Sequence, residues 1–237
     1  MTLLDQNSND LQGKKRRMAI RLYLILTALF VAALVTCNLI ANKFITIDLG
    51  FKEFVISAGV LPYPLTFLIT DILSELYGRK KTNLVVLSGF VASILVLVIL
   101  QLGKIFPAIG ESPVSDGIYN QVFANSWRVI SASMVAYIVA QLVDVRLFHF
   151  WKDLTAGKHL WLRNNASTIL SQLLDTTLVV LVLFIGVLPI NKLLGFIVDG
   201  WFFKVICALI DTPILYTVVF ISRSVFNLQP HEEITID

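Results

Sequence analysis

Six apolar runs divide the chain, at Leu22 to Ile40, Phe54 to Leu73, Leu84 to Leu102, Val129 to Leu147, Ala166 to Leu188 and Leu193 to Ile221. Each is long enough to cross about 30 Å of hydrocarbon at 1.5 Å of helix rise per residue. The pattern predicts an all-α polytopic membrane protein with six transmembrane helices. Within these runs the polar residues recur at helical spacing. In the fourth, Ser133, Tyr137, Gln141 and Asp144 follow one another at steps of four, four and three, which places them on one face. The fifth repeats the arrangement with Thr168, Gln172 and Asp175, flanked by Ser171 and Thr176, and the second carries Thr66, Thr70, Asp71 and Ser74, ending at Glu75. Such faces must turn away from lipid.

Four aspartates, Asp71, Asp144, Asp175 and Asp211, sit inside these runs. An ionised carboxylate at mid-bilayer costs about 2.5–3.5 kcal/mol even on the lenient insertion scale, so four of them imply a polar cavity rather than a set of accidents. Counting from the nearer helix ends puts Asp71, Asp144 and Asp175 about 9–14 Å deep and Asp211 a little deeper. Lys204 lies seven residues before Asp211, on the same face but two turns away, so a salt bridge to Lys204 should cross between helices.

Hydrophobic residues make up 57% of the chain and charged ones 15%, against about 45–50% and 25% in soluble domains. The basic clusters Lys14 to Arg17, Arg79 to Lys81 and Arg146 to Arg163, with Arg223, fall on one side of a six-span arrangement, which predicts cytoplasmic termini. Three segments are expected: a cytoplasmic polar stretch over residues 1–17, a transmembrane domain over 18–223 and a cytoplasmic tail over 224–237. Residues 1–13 and the tail from Asn227 read as disordered. Pro62 and Pro64 suit the first turn of a helix, so the second helix either begins inside the outer leaflet, aiming free N–H groups at a cavity, or runs continuously with a kink. The exterior stretch Pro107 to Asn125 is either a lid or a solvated connector.

Cys37 and Cys207 lie within spans and read as packing residues. His149, His159 and His231 never pair at metal-ligand spacing, and no Gly-x-x-x-x-Gly-Lys loop is present. Neither a metal nor a cofactor is called for, and an ATP-driven role would need a partner.

Longer motifs carry a resemblance. Asn38 with Asn42-Lys43, the run Pro64 to Asp71 leading to Tyr77-Gly78-Arg79, Arg128 to Asp144 with Gln141-Leu142-Val143-Asp144, and Trp161 to Thr168 leading to Asp175-Thr176 together resemble the queuosine-precursor transporter family, a vitamin-uptake-like group, over residues 22–222. The resemblance implies a compact six-helix inner-membrane protein, similar in fold to the substrate-binding components of energy-coupling-factor transporters. It implies import of 7-cyano-7-deazaguanine, 7-aminomethyl-7-deazaguanine or queuine for tRNA modification, with no direct contact to nucleic acid.

The residues suit that chemistry in their own right. A guanine-like edge offers an N–H and an exocyclic amine beside a carbonyl, so a carboxylate can accept both donors while an amide answers the carbonyl. Asp144 or Asp175 could supply the carboxylate and Gln141 or Gln172 the amide, with Tyr137 on the ring and Asn38, Thr70, Asp71 and Lys204 completing the candidate binding set. A transporter is therefore expected, not an enzyme. The alternatives are a substrate-binding subunit of an ATP-driven vitamin transporter and an intramembrane enzyme using paired aspartates. Whether the chain forms a homodimer or takes an energy-coupling partner stays open.

Overall fold

A computed structural model describes residues 3–41, 43–50, 52–123, 127–156, 158–184, 189–229 and 232–236. Asn42, Leu188 and His231 lie outside the described residues, as do the side chains of Trp127, Arg128 and Ser133. The chain runs α1 (Leu3–Ile40), β1 (Phe44–Asp48), β2 (Glu53–Ser57), a 3-10 turn (Ala58–Val60), α2 (Tyr63–Ile105), α3 (Asp116–Phe123), α4 (Trp127–Leu154), α5 (Leu160–Phe184) and α6 (Ile190–Phe226). Five of these helices are long and apolar enough to cross a membrane, and α2 contributes two limbs.

The division of α2 rests on one glycine. Gly78 has φ 77° and ψ 171°, a conformation outside the helical region and in the half of backbone space that L side chains rarely adopt. Ser74 Oγ and Thr82 Oγ1 stand 3.4 Å apart across it, whereas eight residues of straight helix would separate them by about 12 Å. The chain therefore turns back on itself, and limbs 63–77 and 79–105 form two spans joined at a single residue. The polar link expected between the second and third runs is absorbed into this corner. The six-span reading holds.

The first limb is short. Its N-terminal residue follows Pro62 with Pro64 in the first turn, and no side chain caps it. At about 15 residues it covers roughly 22 Å, less than the hydrocarbon thickness. The expected helical start at Phe54 is replaced by β2, which pairs antiparallel with β1, Ile45 opposite Ile56 and Ile47 opposite Phe54. The β-branched alternation of Phe44 to Asp48 and a turn at Gly50 (φ 81°) favour a hairpin there. Phe54 and Ile56 pack on Phe203 of α6, and Lys52 pairs with Asp199, so the hairpin seals the end of the bundle opposite the termini.

Burial is inverted relative to a soluble bundle. Leu84, Leu87, Val91, Leu95, Val98 and Leu102 of the second limb are exposed, as lipid-facing residues should be, while Thr70, Ser74, Gln141, Ser167 and Ser171 are fully buried. Gly89 lets Phe30 and Leu34 of α1 approach the second limb closely, and a Cβ there would overlap the Phe30 ring.

Three boundaries differ from the expectations. Helix α1 extends back to Leu3, α4 runs to Leu154 and α5 starts at Leu160, so the basic link between them is far shorter than Arg146 to Arg163. The stretch following α2 contains α3, whose Tyr119 hydroxyl donates to Leu100 O at 3.0 Å. The tail is ordered: Ile234 is buried in the main core, its N–H donates to Leu76 O at 2.6 Å, and Glu233 pairs with Lys152 at 3.1 Å. Its apolar Ile234 and Ile236 supply the burial that its polar composition hides.

Gly78→Ala should destabilise the protein by about 1–3 kcal/mol, because a side chain at that φ is strained and its Cβ would meet the Glu233 carboxylate. Gly50→Ala has the same kind of φ but open space around it and should cost less. Thermal unfolding in detergent checks the order, and equal midpoints for the two variants would contradict it.

Candidate functional site

The polar faces of α2, α4, α5 and α6 meet inside the bundle. A cleft opens where the start of α2 faces α5 and α6, with Pro64, Phe67, Leu68 and Ala208 as its apolar wall and Asp71, Asn164, Thr168, Gln172, Lys204 and Asp211 as its polar groups. Asn164, Thr168 and Gln172 continue one stripe of α5 at steps of four, and Lys204, Ala208 and Asp211 form a stripe of α6 at steps of four and three. Each helix thus offers one edge to the same space.

Lys204 Nζ donates to Asp175 Oδ2 at 2.7 Å, joining α6 to α5 as the spacing on α6 anticipates. The ammonium also sits 4.4 Å from the centroid of the Tyr63 ring, in the first turn of α2. Electrostatic attraction to the ring face adds to the ion pair in a site that water does not screen. One charge pair therefore ties together the three elements that line the cleft.

Asp71 and Asp144 are 1% and 0% exposed and their carboxyl groups are close neighbours beside the same turn of α5. Thr168 donates to Asp71 Oδ2 at 3.4 Å and Ser171 donates to Asp144 Oδ1 at 2.8 Å. Asp71 lines the cleft; Asp144 stands behind it.

Gln141 is committed elsewhere. Its amide donates to the Tyr137 hydroxyl at 3.0 Å and to Thr66 Oγ1 at 3.4 Å, and it accepts from Thr70 Oγ1 at 3.2 Å. The candidate residues Thr70, Tyr137 and Gln141 thus form a closed network bracing α4 against α2, away from the cleft wall. Gln172, by contrast, lines the cleft, and its Oε1 has no donor among the described residues. Asn38 lies apart, in a groove bounded by α1, the second limb of α2, α3 and α4.

Below the cleft, toward the termini, Glu75 forms an ion pair with Arg163 at 2.5 Å and accepts from Arg223 at 2.6 Å. Glu75 and Arg163 are almost fully buried, and Arg163 also stands over the Phe148 ring at 5.6 Å. Arg223 further donates to Gln229 O of the tail at 2.7 Å. Helices α2, α5 and α6 are closed at this end by one carboxylate shared between two guanidiniums. The candidate set contains neither Asn164 nor Asp211. The continuation of the α5 stripe by one turn is the signal for the first, and the intramembrane position of the carboxylate is the signal for the second.

Helices that bury ion pairs, amides and unpaired acceptors around a cleft, with apolar ridges outside, define a multi-pass membrane protein. The chain belongs to the family described as "Putative vitamin uptake transporter", which matches residues 57–218. It is similar to the "Probable queuosine precursor transporter" of Bacillus subtilis (strain 168), 30% identical over 159 residues, 67% of this chain and 69% of that protein. It is also similar to the "Queuosine precursor transporter" of Escherichia coli (strain K12), 21% identical over 136 residues, 57% of this chain and 58% of that protein. No solved structure matches the chain, so the expected likeness to energy-coupling-factor components rests on the family resemblance alone.

Lys204→Met should destabilise the protein by about 3–5 kcal/mol, since it strands the buried Asp175 carboxylate, and adding Asp175→Leu should recover most of the loss. A double-mutant cycle of unfolding midpoints reads this directly; simple additivity of the two losses would show that the pair does not act as a unit.

Proposed function

We propose that this protein imports queuosine precursors across the inner membrane, with both termini cytoplasmic, and that the cleft between α2, α5 and α6 is the binding site. Family membership and the names of the two relatives support the substrate class. The observation that carries the reading at the level of residues is the pairing of carboxylates Asp71 and Asp211 with the amides Gln172 and Asn164 around one cleft. A deazaguanine presents two adjacent donors and a carbonyl on one edge. A cleft carboxylate accepts the N–H and exocyclic amine, while an amide N–H or the Lys204 ammonium donates to the carbonyl. Phe67 and Leu68 provide the apolar surface against which a flat heterocycle lies.

The short first limb adds a further element. Its uncapped N-terminus and its first turn belong to the cleft wall, so the positive end of that helix acts on the bound ligand. Selectivity follows from unmatched groups: a purine without the exocyclic amine leaves a buried carboxylate lone pair without its donor, which costs more than the contact gains. The protein acts as a carrier in this reading, and the ligand leaves unchanged.

In cells unable to make queuosine precursors, the protein should restore queuosine in tRNA when 7-cyano-7-deazaguanine, 7-aminomethyl-7-deazaguanine or queuine is supplied at low concentration. Asp71→Asn and Gln172→Ala should lower that restoration by about tenfold or more at equal membrane levels. Ser93→Ala, in the groove that holds Asn38, should leave it within about twofold. Restoration unaffected by Asp71→Asn and Gln172→Ala would move the binding site elsewhere.

A further inference from the structure

The contact between Asp71 and Asp144 has no role in holding a ligand edge. Both side chains are sealed from solvent, they sit on different helices, and each has one oxygen, Asp71 Oδ1 and Asp144 Oδ2, with no N–H or O–H donor among the described residues. The hydrogen bonds made to the two come from hydroxyls of α5: Thr168 donates to Asp71 and Ser171 donates to Asp144.

The cations nearby are engaged. Arg163, whose charge reaches Asp71 from α5, is bonded to Glu75, one turn along α2 from Asp71. From α6, Lys204 is bonded to Asp175, and Asp211 adds another carboxylate to the cleft wall. Helix α4 contributes Asp144 itself. Two carboxylates in contact away from water do not both stay ionised, and a single proton between them gives each stranded oxygen its partner.

We propose that Asp71 and Asp144 form a carboxyl pair that carries one proton inward with each molecule of base, so that the protein is a proton symporter. The inference rests on the transport reading above and adds its driving force. Asp71 is the shared member: it faces the cleft on one side and Asp144 on the other. With the proton on Asp144, the Asp71 carboxylate is free to accept the donors of the base, and α2 stays packed on α4. Loss of the proton to the cytoplasm leaves two anions in contact. Their repulsion separates the first limb of α2 from α4, weakens the grip of Asp71 on the base and releases it on the same side. The proton enters from outside, resides on the pair and leaves inside, and no bond of the base is made or broken. A neutral base with one proton moves one positive charge per cycle.

The test uses the full-length protein in sealed liposomes with 7-cyano-7-deazaguanine as the probe and a pH-sensitive dye trapped inside. With the membrane potential held at zero by valinomycin and equal potassium on both sides, and the outside more acidic by two units, uptake should run uphill toward a limit of about a hundredfold, one factor of ten per unit for one proton per base. Adding the base without an imposed gradient should acidify the interior in step with uptake. Exchange of labelled for unlabelled base, which needs no driving force, separates the two claims. Exchange without acidification or uphill uptake would overturn the proton pair and leave the transport reading standing, while absence of exchange with every deazaguanine and queuine would overturn both. In Asp144→Asn, uphill uptake should fall to a ratio near one, and whatever exchange persists should lose its dependence on internal pH. Uphill uptake preserved in that variant would exclude the pair as the proton carrier.

Discussion

Hydrocarbon offers an ionised side chain nothing to bond to, so each charge inside this bundle must find its partner on another helix. The bridge from Lys204 to Asp175 meets that constraint between α6 and α5, and Tyr63 brings in the start of α2. Glu75 meets it a second time lower down, with Arg163 from α5 and Arg223 from α6. The two charge clusters fix the same three elements at two heights. The cleft is the space left between them, walled by Asp71, Asn164, Thr168, Gln172, Lys204 and Asp211. Buried ion pairs seldom add net stability compared with well-packed apolar residues. Their worth here lies in dictating which helix faces meet.

Gly78 makes that arrangement reachable. A reversal at one residue keeps the first limb of α2 short and sets its N-terminus in the cleft wall while Asp71 and Glu75 stay on the inward face. The ordered tail folds over the same corner, with Ile234 bonded to Leu76 and Glu233 against Gly78. The opposite end is closed differently, by the β-hairpin, whose Phe54 and Ile56 pack on Phe203. The two ends of the bundle are thus capped by unlike devices, one built on charge and one on apolar packing.

The span count and the stripes of α4 and α5 were legible in the sequence, because hydropathy over about 20 residues and a period of 3.6 survive any packing of the helices. So was the need for Lys204 to bond across helices. Partner choice was not legible. Asp144 and Gln141 share a face with Asp175 and Gln172 in chemistry but not in position, and only packing shows that Gln141 is spent on Tyr137, Thr66 and Thr70 while Gln172 faces the cleft. Asn38 looks alike in sequence to a site amide yet belongs to another groove. The hairpin was hidden because β2 adjoins an apolar run, and the corner because a lone glycine between helical stretches carries no sign of its φ. The tail read as disordered because two isoleucines among polar residues fall below any composition threshold.

The central claim is that a carboxylate of the cleft reads the donor edge of a deazaguanine. Equilibrium binding of 7-cyano-7-deazaguanine and of the same base lacking its exocyclic amine, to the purified protein at one pH, tests it most directly. The account predicts that removing the amine weakens binding by about a hundredfold or more, since a buried acceptor is left without its donor. Equal affinity for the two would contradict it.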